Sequence, residues 1–263
     1  AYLDRRDLPE DQRPAEDGKP LRVGDTIVVP GRNDQFSKVS LVAEVATPGG
    51  ESLPSRIINM DVTPLGAGSL VAAIDAEGNV RVESATSKLN MLTGRRTVTA
   101  AGATIAPTDG FQPRFVRVSE LGDQLFLFAA DGSGRRYSIR DVEEPLAMET
   151  FSAGGPVTSV TRLFGGTGLA VARGDGTIAI MFAARPDPSQ GPKDPSLPKD
   201  GLRMVTARVF PAAKEGVAVT AMASSSRSRL FAVADAAGGM RLLQSTTGQE
   251  VLDVGLAHTT TDD

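Results

Sequence analysis

The 263-residue chain contains no cysteine and no tryptophan, and it has a single histidine. Without cysteine it cannot form disulfides, use a thiol nucleophile or build a cysteine metal site. No apolar run approaches the roughly 18 residues of a membrane-spanning helix, and no signal peptide is visible at Ala1. The polar opening AYLDRRDLPEDQRP indicates a segment excised from a longer chain, or a processed one.

The chain also lacks an excess of positive charge. Its net charge of −4 argues against a nucleic-acid partner, because contact with phosphates requires a positive face. Hydrophobic residues make up 40% of the chain, which is enough to build a core. Many glycines, few aromatics and many short apolar runs are typical of an all-β protein without long helices.

One feature that is present is an internal repeat. Residues 230–252 read LFAVADAAGGMRLLQSTTGQEVL, and residues 70–92 read LVAAIDAEGNVRVESATSKLNML, 160 positions earlier and without a gap. Identical residues meet along this alignment, as in the pairs Leu70 and Leu230, Asp75 and Asp235, Gly78 and Gly238, and Arg81 and Arg241. Such self-similarity indicates a supersecondary unit that stacks on copies of itself.

Four segments share one plan of an apolar strand, a short turn and an alternating strand. The turns are expected at 75–78, 131–134, 174–176 and 235–238, and a further strand precedes each unit at 57–62, 115–118, 157–161 and 219–222. An aspartate accepts backbone N–H bonds within the turn, and the glycine three residues later supplies a positive φ. In three of the four units a further strand is expected to follow, such as Glu250–Val254, which gives up to four antiparallel strands per unit.

Repeated four-stranded antiparallel units with central strands buried on both faces predict an all-β, β-propeller fold. Two long inserts, 93–113 and the proline-rich 185–198, are expected to lengthen the spacing beyond the roughly 40–50 residues of a blade. The expected organisation is an extended lead-in over 1–20 and a propeller domain over 21–263. The number of blades is open, and the chain is either closed through its N-terminal strands or a fragment of a longer propeller.

The segments GDGTIAIMF and LFAVADAAGGMRLLQSTTGQEVL, the latter preceded by AVTAMASSSRSR, resemble a known family. They are similar to the WD40-like extracytoplasmic domain of some bacterial phosphate ABC-transporter permeases, over roughly residues 57–254. The chain departs from true WD40 blades, because it has neither the Trp-Asp dipeptide nor the Gly-His pair. Apolar stacking and hairpin turns must therefore hold its blades together.

This resemblance implies a domain on the periplasmic side of the bacterial inner membrane. Its implied partners are the periplasmic phosphate-binding protein or another envelope protein, with the permease and ATPase subunits joined through the parent chain. The membrane would be reached only through flanking segments. The permease helices lie outside this sequence, so no transport residue is assigned.

No catalytic, cofactor-binding or metal-binding residue is predicted, and no cofactor is expected. His258 lies beside Asp262 and Asp263 in a tail without further metal ligands. The glycine-rich segments 164–168 and 174–176 precede strands rather than the helix that a phosphate loop requires. Glu143 and Glu144 are neighbours on a loop, without sign of a cleft.

The recurring acidic and basic residues are also interpreted structurally. The aspartates Asp75, Asp131, Asp175 and Asp235 are expected at one turn position on separate blades, too far apart for calcium. The arginine pairs 5–6, 95–96 and 135–136, with Arg81 and Arg241, are not interpreted as a phosphate site. Arg81 and Arg241 alternate outward on a second strand and are interpreted as surface charges.

The sequence therefore favours a non-catalytic interaction domain of a phosphate permease. Two alternatives stay open at this point. One is a propeller enzyme or a quinoprotein-like domain with a ligand-holding channel, and the other is a free-standing scaffold propeller.

Overall fold

A computed structural model describes residues 53–66, 68–89, 96–106, 108–166, 168–185 and 198–254, and the backbone of four short strands before them. The described residues form strands and turns, and none of their segments is a helix that could cross a membrane. The sequence expectation of an all-β chain is confirmed.

Twenty strands are described, in five four-stranded sheets. The first sheet contains β1 (Tyr2–Asp4), β2 (Leu21–Val23), β3 (Thr26–Pro30) and β4 (Gln35–Ser40), in the order β1-β4-β3-β2. The chain divides into two compact units, one of residues 1–47 and 87–99 and the other of residues 48–86 and 100–263.

Four further sheets have their strands arranged in chain order, and we call them blades 1 to 4. Blade 1 has β5 (Ile57–Leu65), β6 (Gly68–Asp75), β7 (Val80–Leu89) and β8 (Arg96–Ile105). Blade 2 has β9 (Pro113–Val118), β10 (Gln124–Ala129), β11 (Ser133–Ser138) and β12 (Leu146–Ser152). Blade 3 has β13 (Val157–Arg162), β14 (Gly168–Arg173), β15 (Thr177–Ala184) and β16 (Arg203–Pro211), and blade 4 has β17 (Val219–Ser224), β18 (Leu230–Asp235), β19 (Met240–Gln244) and β20 (Glu250–Asp253).

The second strand of a blade is the centre of the packing. In β10 successive residues point to opposite faces, and Leu125 and Leu127 join the core with blade 1. Phe126 and Phe128 join a different core with blade 3. First strands touch in succession, β5 with β9, β9 with β13 and β13 with β17. The predicted β-propeller with four-stranded antiparallel blades is therefore confirmed.

The prediction of a long insert over 93–113 is wrong. Residues 96–105 form β8, the fourth strand of blade 1. Its sequence RTVTAAGATI is rich in small residues, so its apolar alternation is too weak to indicate a strand. The second expected insert lies outside the described residues except at its ends, and within the expected lead-in Tyr2–Asp4 pairs with β4.

The hairpin turns are of two kinds, which corrects the expectation of one aspartate position. In blade 1 the Gly78 amide donates to the Asp75 carbonyl (3.1 Å), and Gly78 has φ 88° as expected. In blade 2 the equivalent bond runs from Gly132 (φ 96°) to the carbonyl of Ala129. Asp131 therefore lies inside its turn, directly before the positive-φ glycine. Blade 4 has the first pattern and blade 3 the second.

Gly132 gives a test of this turn geometry. A Cβ at Gly132 would lie 2.3 Å from the carbonyl oxygen of Gly155, whereas one at Gly216 (φ 75°) would meet nothing within 4 Å. Both Gly132→Ala and Gly216→Ala carry the positive-φ cost of about 1–2 kcal/mol. We expect Gly132→Ala to lose clearly more free energy of unfolding, measured by urea denaturation. Equal losses would contradict the close backbone approach.

Candidate functional site

The first strands of blades 1 and 2 are joined by side chain-to-backbone hydrogen bonds. Asn59 Oδ1 accepts from the amide of Val116 (3.0 Å), and Asp61 Oδ2 accepts from the amide of Val118 (2.9 Å). Because β5 and β9 are not paired as strands of one sheet, these two side chains satisfy amides that have no ladder partner on that side.

Two arginines extend this polar cluster to blade 3. Arg162 on β13 donates to Thr63 Oγ1 (2.6 Å), to the Val62 carbonyl (2.9 Å) and to Asp61 Oδ1 (3.4 Å). Arg117 on β9 donates to Asn59 Oδ1 (3.1 Å) and to the carbonyl of Val160. The cluster therefore connects three successive blades through charge-assisted bonds.

Burial and two neighbouring charges shift the pKa of Arg117 within this cluster. Burial lowers the pKa of Arg117, the charge of Asp61 raises it, and the charge of Arg162 lowers it further, with a net decrease. The guanidinium donors of both arginines are directed at carbonyl, hydroxyl, amide and carboxylate oxygens of the chain itself. This arrangement serves to hold the blades in register.

A second ionic cluster lies between blade 2 and the segment that leads into β16. Arg136 is fully buried, and its Nε donates to Glu149 Oε1 at 2.6 Å. Its Nη1 donates to Asp200 Oδ2 (2.5 Å), and its Nη2 to the Leu202 carbonyl (2.9 Å). Burial raises the pKa of Asp200, but the hydrogen bonds and charge of Arg136 outweigh it, so that pKa is lowered.

The burial of Arg136 was not anticipated from the sequence. The interpretation of Arg241 as a surface charge is wrong, because its side chain is mostly buried and its Nη1 donates to the Ala212 carbonyl of blade 3 at 3.1 Å. Arg135 lies with its guanidinium 4.6 Å from the ring centre of Phe111. The side chains of the pairs 5–6 and 95–96 lie outside the described residues.

The recurring aspartates lie on separate blades, and each is engaged by its own turn. Asp75 is buried, and its Oδ1 accepts from the amides of Glu77 (3.0 Å) and Asn79 (2.8 Å). Burial raises the pKa of Asp75, but these bonds and one from the Asn79 side chain bring it below its ordinary value. Asp131 accepts from the amide and hydroxyl of Ser133 at an exposed position.

The remaining candidates lie in turns, in bends or outside the described residues. The glycine-rich segment 164–168 is the β13–β14 turn, and segment 174–176 is the β14–β15 turn. Glu143 and Glu144 lie in the bend between β11 and β12. His258, Asp262 and Asp263 lie outside the described residues. Within the described ranges, no group of three or more His, Cys, Asp or Glu side chains is placed to hold a metal.

Sequence reasoning missed a row of three loops at one end of blades 1 to 3. These are residues 65–66, 119–123 and 163–166, which we call the loop row. A Cβ at Gly122 would lie 2.8 Å from Leu65 Cδ2, and one at Gly166 would lie 2.2 Å from Glu120 Cβ. The second loop is therefore in contact with both of its neighbours.

Two large apolar side chains project from the loop row into solvent. Leu121 is 81% exposed and Phe164 is 48% exposed, on neighbouring loops. A cavity of about 250 Å³ lies between these two loops, lined in part by Leu121, Phe126 and Gly166. The sequence signal for this feature was an apolar residue inside an otherwise polar turn, as in SELGDQ and RLFGG.

No protein-family model and no curated protein matches the sequence. Solved structures of WD40 β-propeller proteins do match the fold. Sqt1 of Chaetomium thermophilum matches in one crystal structure with a TM-score of 0.53 and 14% identity, over 88% of this chain and 58% of that one.

Two further structures agree with this result. Sqt1 of Saccharomyces cerevisiae matches with a TM-score of 0.51 and 8% identity, over 76% of this chain and 48% of its own. U3-55K matches with a TM-score of 0.50 and 13% identity, over 76% and 52%. The chain thus spans about half the length of these structures, and the likeness establishes the β-propeller fold.

We expect Asp75→Ala to destabilise the fold more than Asp131→Ala. The first substitution leaves the part-buried amides of Glu77 and Asn79 without the buried carboxylate that accepts from them, at about 1–3 kcal/mol, whereas water can replace the exposed carboxylate of Asp131. Because the pKa of Asp75 is lowered, its contribution is present above the ordinary value of 3.8 and is lost as the pH falls through the folded pKa. Urea unfolding of both variants at neutral and acidic pH measures this, and equal losses at neutral pH would refute it.

Arg136→Met should cost about 3–5 kcal/mol, because it leaves two partly buried carboxylates without their cation. The neighbouring Arg135→Met is the matched control and should cost at most about 1 kcal/mol. Since the pKa of Asp200 is lowered, the loss caused by Arg136→Met should narrow as the pH falls through that pKa. Chemical denaturation at several pH values measures both effects, and a pH-independent loss would argue against the pairing.

Proposed function

We propose that this chain is a protein-binding β-propeller domain that engages its partner through the loop row. The single observation that carries the proposal is the exposure of Leu121 and Phe164 on two loops in contact with each other. Binding residues lie disproportionately on loops held by a rigid scaffold. The WD40 neighbours are consistent with a protein-interaction role for such a scaffold.

A partner side chain inserted between the two loops would find both apolar and polar groups. Phe126 and Ala183 contribute apolar surface to the cavity, and Glu120 and Asp123 contribute carboxylates. An apolar anchor with a polar rim is the arrangement that concentrates binding energy in protein interfaces. A basic or amphipathic side chain of the partner fits this chemistry best.

We propose binding rather than catalysis as the role of the domain. Arg117, Arg162 and Arg136, the buried arginines of the two clusters, are engaged by carbonyls, side-chain oxygens and carboxylates of the chain. Their function is accounted for by cohesion between blades. A propeller enzyme instead requires polar groups that converge on a bound ligand.

The cellular setting is a further part of the proposal and rests on sequence resemblance alone. In that setting the domain belongs to a phosphate ABC-transporter permease on the periplasmic side of the inner membrane, and its partner is the phosphate-binding protein. The alternative setting is a free-standing scaffold propeller, which the WD40 fold neighbours favour over the permease setting. The coding sequence on either side of this segment distinguishes them, because the first requires flanking transmembrane helices.

The loop row is tested with the double variant Leu121→Asp/Phe164→Asp. Leu146→Asp is the matched control, because Leu146 is similarly exposed (45%) on the outer strand β12. Immobilised chain is exposed to a lysate of the source cells, and retained proteins are compared between variants. We expect a protein retained by the wild type and the control but lost by the double variant, because interface anchors contribute about 2 kcal/mol or more.

The partner itself is tested by surface plasmon resonance with the purified phosphate-binding protein from the same cells. The permease setting is supported if the phosphate-binding protein binds the wild-type chain and binds the double variant at least roughly tenfold more weakly. No binding at micromolar concentration would exclude the phosphate-binding protein as the partner. The loop row as a binding surface would then be judged by the lysate experiment alone. In the lysate experiment, equal retention of proteins by the wild type, the Leu146→Asp control and the double variant would overturn the loop row as the binding surface.

A further inference from the structure

Blade 4 presents an apolar sheet face whose counterpart in blade 1 is fully covered. The 160-residue repeat aligns five positions of the two blades, and in blade 1 these are at most 1% exposed: Leu70, Ala72, Ile74, Val80 and Val82. They pack against blade 2. Their counterparts in blade 4 are all only partly buried, and we call them the trailing face: Leu230, Ala232, Ala234, Met240 and Leu242.

The trailing face extends across the whole width of blade 4. Strand pairing places Ala223, Ala232, Leu242 and Leu252 in one row across β17, β18, β19 and β20. Leu252, at the outer end of this row, is 53% exposed. Every member of the row is apolar, so the row is a continuous apolar strip and not an isolated exposed residue.

The opposite side of the same strands is packed as tightly as any blade. Phe231, Val233 and Leu243 are 1–2% exposed and form the core with blade 3. The exposed and buried residues belong to the same strands, because alternate residues of a strand point to opposite faces of the sheet. The trailing face is therefore half of a blade interface in an otherwise well-packed blade.

Blade 1 carries the complementary half. Met60 is 54% exposed on β5, and strand pairing places it beside Ala73, while Val62 lies beside Val71 on the same side of the sheet. The residue at the position of Met60 in blade 4 is Met222, which pairs with Val233 and packs into the core with blade 3. We call Met60, Val62, Val71 and Ala73 the leading face.

We propose that two copies of this chain associate head to tail, with the trailing face of each copy packed on the leading face of the other. Faces of these two kinds already pack on each other between blades 1 and 2, 2 and 3, and 3 and 4 of a single chain. The contact repeats that internal interface, and two such contacts close with twofold symmetry.

This assembly does not depend on the loop row, because neither face contains a residue of the loops 119–123 or 163–166. It buries apolar surface that would otherwise remain in contact with water. Arg81, which strand pairing places beside Ala73 of the leading face, is compatible with this assembly. Arg81 aligns with Arg241, which is accommodated between blades 3 and 4 by donating to the Ala212 carbonyl.

The proposal is tested by the mass of the 263-residue chain in solution, measured by sedimentation equilibrium over a range of micromolar concentrations. We expect the wild type to reach twice the monomer mass. Leu252→Asp, beside Leu242 of the trailing face, and Met60→Asp on the leading face should each shift the chain toward the monomer. Both side chains are more than half exposed, so the variants should retain the wild-type thermal unfolding midpoint. Leu146→Asp is the control and should leave the mass unchanged.

An equimolar mixture of Leu252→Asp and Met60→Asp distinguishes head-to-tail contact from other kinds of association. Each variant alone lacks one half of both contacts, whereas the mixture restores one contact with two intact faces. We expect the average mass of the mixture to exceed that of either variant alone. A monomeric wild type, a mixture that behaves as the average of its components, or dimers sensitive to only one of the two variants would each overturn the proposal.

Discussion

The structure depends on apolar stacking between sheets through the second strand of each blade. In β10 four successive large side chains alternate between two cores, so this one strand joins blade 2 to both of its neighbours. Burial of apolar surface on both faces is the dominant favourable term available to such a strand. Since the chain has no tryptophan, the hydrogen-bonded blade tetrad of true WD40 proteins is absent, and the stacking carries more of the cohesion.

Charged groups add specificity to this stacking. Arg162 reaches from blade 3 to blade 1, and Arg136 joins blade 2 to the segment before β16. Each arginine meets backbone carbonyls as well as carboxylates, so its planar donors fix distances and orientations that apolar contact leaves free. The same stacking rule explains the two exposed faces, because a blade at either end of the array has one side without a described neighbour. Leu65 and Leu163 of the loop row pack into the inter-blade cores, whereas Leu121 and Phe164 project from the same row into solvent.

Much of the blade architecture is legible in the sequence, for local reasons. Runs such as LFLFA and LAVA are apolar at every position, which only a strand buried on both faces tolerates, and the Asp and Gly residues between runs mark the hairpins. The strand β8 was missed because its small residues produce little periodicity. The turn of blade 2 was assigned to the wrong glycine, because the sequence DGSG offers two and only hydrogen-bond geometry selects Gly132. The burial of Arg136 was also missed, since its partner Asp200 is distant in the chain.

The sequence by itself determined the repeat, the four-stranded blade and the chemistry of its turns, because these depend on the alternation of apolar residues and on local backbone preferences. Only the tertiary structure decided which arginines are buried, which loops touch and which sheet faces lack a neighbour among the described residues. Each of those depends on groups far apart in the chain, and a pattern that repeats in every blade describes only the features that build a blade. Whether Ala232 is covered as Ala72 is covered depends on which sheet packs against the blade in space, and no local pattern contains that information.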